Sequence, residues 1–173
     1  MQVGRQACVD VWTMAQNLQS LKLNGKLGEL PHWIGKLHNL VKLRLERTKL
    51  QDPSAAIKVL GVLPSLAILL LWEYSFDSVE AGIRLNFRLE DAMLPSLRML
   101  LVFSIDDLKS VKFEKGAMPK PELLHFVVSS TSSAGFFSGL ELLPSLKEFM
   151  LAGRYKDDFL EDLQNQLYTA LPC

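Results

Sequence analysis

Cysteine is nearly missing: Cys8 and Cys173, close to opposite ends of the 173 residues, are too few for a disulfide framework and lack the spacing of a zinc site. An excess of either charge is missing too. Nineteen Lys plus Arg balance nineteen Asp plus Glu, and the zero net removes any whole-chain attraction to nucleic acid, an anionic membrane or an acidic substrate. The longest apolar run, 66–72, falls far short of the roughly 18 residues that span a bilayer. No signal-peptide core stands at the start, because Asp10, Thr13 and Gln16 interrupt Val9, Val11, Trp12 and Met14. None of the five Asn lies in an Asn-x-Ser/Thr acceptor. Together these shortages predict a soluble, cytoplasmic protein with reduced cysteines. Isoleucine is scarce as well, at 5 residues, whereas the 34 leucines are one residue in five; 49% apolar content suffices to fill the core of a domain of ordinary size.

The leucines recur in a pattern. Leu18-x-x-Leu21-x-Leu23 is followed by Leu40-x-x-Leu43-x-Leu45, Leu66-x-x-Leu69-x-Leu71 and Leu97-x-x-Leu100-x-Val102. Two looser copies, Leu123-x-x-Phe126-x-Val128 and Leu146-x-x-Phe149-x-Leu151, complete a series with gaps of 22, 26, 31, 26 and 23 residues. Leu-Pro-Ser-Leu leads into the motif at 63–66, 94–97 and 143–146, and Leu37-His-Asn-Leu40 holds the same place. The two longest units carry related additions, Leu85-x-Phe87 and Val111-x-Phe113, each read as an extra strand-like stretch.

Leucines at positions 4 and 6 of a unit share one face of a short strand of period two. No unit has a core of its own, so each becomes stable only when its leucine layer stacks on the next, with parallel strands about 4.8 Å apart. Prolines 31, 64, 95, 119 and 144 fall between strand hearts, where a missing N–H breaks no ladder. The expected fold is an α/β leucine-rich repeat solenoid of about six repeats, with a curved parallel sheet on the concave face and irregular, short helical or strand-like convex returns. Residues 18–156 form the repeats. Residues 157–173 read as a capping helix, from Asp157 and Asp158 at its start and Phe159, Leu160, Leu163 and Leu167 at helical spacing. Residues 1–17 read as the remnant of a preceding repeat or a poor N-terminal cap, which makes the chain the C-terminal piece of something longer or a shortened gene model.

The stretches Leu18-Gln-Ser-Leu-Lys-Leu, Leu27-Gly-Glu-Leu-Pro-His-Trp-Ile34 and Leu37-His-Asn-Leu-Val-Lys-Leu-Arg-Leu45 resemble the C-terminal leucine-rich repeats of plant intracellular immune receptors of the coiled-coil, nucleotide-binding class. Leu85-Asn-Phe87, Val111-Lys-Phe113-Glu-Lys-Gly-Ala-Met-Pro119 and the closing Phe159-Leu-x-x-Leu-x-x-x-Leu167 extend the resemblance, while 129–139 departs from it. The resemblance implies repeats that restrain an upstream nucleotide-binding switch domain and help detect a pathogen molecule. The chain itself has no Gly-x-x-x-x-Gly-Lys-Ser/Thr loop: Gly25-Lys26 is followed by Leu27, and Gly35-Lys36 by Leu37.

No catalytic constellation emerges. His32, His38 and His125 form no His-x-x-x-His pair, and Gly135-Phe-Phe-Ser-Gly139 has its serine one place too late for a nucleophile elbow. The expectation is a non-enzymatic protein-interaction domain without cofactor or metal. Its outward strand positions divide by chemistry. Lys22, Lys42, Arg44 and Arg47 belong to a basic beginning, with seven basic and two acidic residues over 18–50 and a net of +5. That end reads either as a solubilising surface or as a seat for an acidic partner. Ile68, Leu70 and Trp72, then Met99, Leu101 and Phe103, form an apolar cluster that signals contact, unless the excursion 72–95 folds back over it. The expected partner is a protein: the intramolecular switch domain of a longer parent, or a pathogen or host protein. A free-standing leucine-rich repeat scaffold or substrate adaptor is the alternative.

Overall fold

The structure, a computed structural model, describes residues 16–77, 81–90 and 93–170, the side chains of 129–132 excepted. The cysteines, most of 1–17 and the last three residues of 157–173 therefore lie outside the described residues.

Strands β1 (Ser20–Asn24), β2 (Lys42–Glu46), β3 (Ile68–Leu71), β5 (Met99–Phe103), β7 (Leu123–Ser132) and β9 (Glu148–Tyr155) form a six-stranded sheet in chain order. Every pairing in it is parallel. Alternation does the work that the spacing predicts. Leu43, Leu45, Leu69, Leu71, Leu100, Val102, Leu124 and Phe126 point inward and are buried, while their neighbours along each strand reach the solvent side. Leu21 and Leu23 are half-buried against the same core.

The fifth repeat is phased differently from the sequence reading. Leu124 pairs with Leu100, and Phe126 with Val102. The motif there is Pro121-x-x-Leu124-x-Phe126, two residues earlier than Leu123-x-x-Phe126-x-Val128. A slip of two preserves the face of every side chain, so the inward and outward sets survive. A proline at position 1 concealed the true register.

The returns are built in three ways. Short 3₁₀ turns cover His32–Lys36 and Leu140–Leu142. Helix α1 (Pro53–Gly61) starts at Asp52, whose carboxylate accepts from the Ser54 and Ala55 amides at 2.9 and 3.1 Å, with Pro53 at the first turn where its missing N–H costs nothing. In the longer units, β4 (Ile83–Phe87), β6 (Leu108–Phe113) and β8 (Phe137–Ser138) make a second parallel sheet. It faces the first across one core, where the Phe126 and Phe137 rings meet edge to face at 4.8 Å. The extra stretches at Leu85 and Val111 are thus strands, as their alternation implied. Strand β8 falls in 129–139, where no repeat pattern announced it.

Helix α2 (Asp157–Ala170) closes the far end. Its Phe159 and Leu163 are buried against the last layer, where phenylalanines at 126, 136, 137 and 149 replace leucines. Polar contacts hold it: Asp162 accepts from the Gly135 amide at 3.0 Å, and Gln166 donates to the Phe137 carbonyl at 2.8 Å.

Candidate functional site

The solvent side of the six-stranded sheet is the largest surface that the fold leaves to other work. Strand register sets its columns. One runs Ser20, Lys42, Ile68, Met99, Leu123, Glu148, and the next runs Lys22, Arg44, Leu70, Leu101, His125, Met150. Across β1 and β2 both columns are polar or cationic; from β3 to β7 they are apolar except at His125. Ile68, Leu70, Trp72, Met99, Leu101 and Phe103 are all half-buried and crowd one another. The described part of the excursion 72–95 turns the other way: its β4 lies in the opposite sheet with Ile83, Leu85 and Phe87 turned into the core.

The two chemistries meet at Arg44. Its guanidinium lies 4.0 Å from the centre of the Trp72 ring, a cation–π contact. The Trp72 ring sits 4.9 Å from Phe103, which in turn meets His125 edge to face at 4.9 Å. Four side chains, three on β2, β5 and β7 and Trp72 just past the end of β3, therefore form a continuous seam across the sheet. Arg44 Nε and Trp72 Nε1 are buried N–H donors with no acceptor among the described residues.

Charge at the basic end is partly spent. Lys22 and Arg44 both reach the same Glu46 oxygen at 3.0 Å. The Lys22 hydrogen bond, with the Lys22 and Arg44 charges behind it, holds the Glu46 carboxyl below the ordinary carboxylate value against the opposing effect of desolvation. A similar triplet joins β5, β7 and β9 at their entry: Arg98 and Lys147 lie 2.9 and 3.2 Å from Glu122. The Glu122 carboxyl is lowered as well, chiefly by the Lys147 hydrogen bond. Lys42 and Arg47 are exposed.

A family model described as a leucine-rich repeat region matches residues 1–170. The chain belongs to the leucine-rich repeat family. No curated protein and no solved structure matches it. Leucine-rich repeat regions bind proteins and are typically non-catalytic, so this leucine-rich repeat chain is a protein-interaction domain. Its concave sheet is the candidate face. A cleft of about 230 Å³ lies near His32, Gln51 and Asp52, on the side of α1. No helix among the described residues is long and apolar enough to cross a membrane.

Of the ten residues singled out from sequence, nine lie on the concave columns or at their strand ends. Arg47 does not: it stands at the corner after β2, with φ +55°. His125, Leu123 and Met150 belong to the same surface; His125 was legible as a concave position, whereas Leu123 stood at position 1 of the misphased motif, and only the register joins the three to the patch.

Proposed function

We propose that this domain serves as the sensing and autoinhibitory repeats of a plant intracellular immune receptor of the coiled-coil, nucleotide-binding class. It acts in the cytoplasm, in innate defence against disease. The motifs from Leu18 to Leu45 and the closing Phe159 segment support this reading by their resemblance. The division of the concave sheet carries it further: a cationic end at β1–β2 suits a switch domain docked within the parent chain, and the apolar seam beside it suits a second, exchangeable protein contact.

The test is titration calorimetry against a nucleotide-binding domain encoded in the same gene. The paired change Lys42→Glu with Arg44→Glu should weaken binding at low salt by tenfold or more, and Leu101→Glu should act on the pathogen or host contact. Unchanged affinity in the paired variant rejects the reading. A reading frame with no phosphate-binding loop upstream would replace it with a free-standing scaffold or adaptor.

A further inference from the structure

The rim where the parallel strands end carries an unusual run of backbone. Residue columns continue past the strands, so Gly25, Arg47, Glu73, Ser104 and Gly153 occupy corresponding corners. Glycine takes this corner after β1 (Gly25, φ +111°) and within β9 (Gly153, φ +124°), and Ser104 takes it after β5 at φ +49°. After β2 the same corner is Arg47 at φ +55°, followed by Lys49 at +49°, and the next coil holds Tyr74 at +54°. A side chain with a Cβ adopts this region at a cost, and long or aromatic residues gain no local hydrogen bond there to offset it. Such outliers persist where the surroundings over-determine them and where the side chain is wanted.

The surroundings here do over-determine them. Thr48 is fully buried between Arg47 and Lys49, so side chains there alternate out, in, out, and Ser75 is fully buried next to the exposed Tyr74. The Thr48 hydroxyl donates to the Ser75 carbonyl at 2.9 Å, and the Ser75 hydroxyl donates to the Leu45 carbonyl at 2.9 Å. Backbone amides of Arg47 and Lys49 reach the Glu73 and Tyr74 carbonyls at 2.9 and 3.0 Å. The displayed groups are thereby held in place before any partner arrives. Tyr74 is 45% exposed, Lys49 Nζ lies 5.4 Å from its ring centre, and Arg47 is exposed.

We infer that this rim of Arg47, Lys49 and Tyr74, joined at Trp72 to the concave seam, is a preorganised contact surface for an acidic partner segment that carries a bulky apolar side chain beside its carboxylates. Charge selects the partner: across the basic end and its rim Lys22, Lys42, Arg44, Arg47 and Lys49 stand against Glu46, Glu73 and Asp77, a net of +2 even though Lys22 and Arg44 share Glu46 and Lys49 lies 3.9 Å from Asp77. The inference rests on the reading of the chain as a protein-binding domain and adds the partner's chemistry and the seat.

A fluorescein-labelled peptide of alternating Glu with Phe and Leu, and the same peptide with Lys in place of Glu, serve as probes in anisotropy at low salt. The Glu peptide should bind at least tenfold more tightly than the Lys peptide. Arg47→Gly should weaken it about tenfold and yet leave Tm unchanged or raised by about 1–4 °C, because the strain goes with the side chain. Arg47→Ala, which keeps the strained corner, should lose the same affinity with no rise in Tm. Equal binding of both peptides, undiminished binding by Arg47→Gly, or a fall in its Tm overturns the inference. Loss of the Glu peptide on Leu101→Glu together with full retention on Arg47→Gly removes the rim alone and leaves the concave reading standing.

Discussion

Among the described residues, Thr48 and Ser75 are the two buried polar side chains, at positions on successive coils otherwise filled by apolar ones. Each hydroxyl ties one coil's turn to a neighbouring coil's carbonyl, so they act as pins between layers. Thr48→Val keeps the shape and removes the donor; it should lower stability by about 1 kcal/mol, seen as a lower urea midpoint at unchanged slope. Two carboxylates tie strands on the outer face in a different way. Glu46 and Glu122 have lowered pKa values in the folded state, so the unfolded chain takes up protons first as pH falls. The stability that they supply is complete above the ordinary glutamate value near ~4.3 and is lost as pH drops through the lower folded values. Urea unfolding from about pH 6 to pH 3 should show that decline, and Glu122→Gln should flatten it without moving the neutral-pH midpoint much, since the ion pairs lie at the surface and are screened by solvent. Residue types at these places were visible in sequence. Their roles were not, because Thr48 finds Ser75, and Glu122 finds Lys147, only through stacking of residues some 25 apart.

Among the elements, the strands were the most legible and α1 the least. Period-two leucines follow from the need to bury one face, whereas the Asp52-Pro53 start of α1 is a local capping signal that a repeat search passes over. Strand β8 shows a harder case: two residues, Phe137 and Ser138, pair with β6 because a long return passes there, and nothing periodic marks them. Helix α2 was readable from its amphipathic spacing, but its docking was not. Asp162 and Gln166 bond to the 135–137 backbone, and Phe159 contacts Phe136, Phe137 and Tyr155. Phe159→Ala should therefore cost about 3–5 kcal/mol by emptying the centre of that cluster. Hydrogen exchange should show the loss concentrated in β7, β9 and α2, with β2 and β3 little changed, because a solenoid passes strain mainly to nearest neighbours. Equal loss along the whole array would contradict that locality.

At the scale of the molecule, one sheet turns a leucine layer inward and a polarised surface outward. The zero net charge conceals a beginning of +5, which Lys42 and Arg47 still present to solvent after Glu46 is taken. Sequence by itself determined the number of coils, the inward and outward sets, and which end is basic, since these follow from period and composition alone. It placed the fifth motif two residues late without harm to those sets, because strand faces repeat every two residues. Only the tertiary structure decided three further things: that β4 joins a sheet behind the core, away from the apolar seam, that Arg44, Trp72, Phe103 and His125 touch in one line, and that Arg47 turns away to a strained rim. The physical reason is the same for each. They depend on which coil lies beside which and on the angle at which the chain leaves a strand, and neither is encoded in the hydrophobic period that makes the coils.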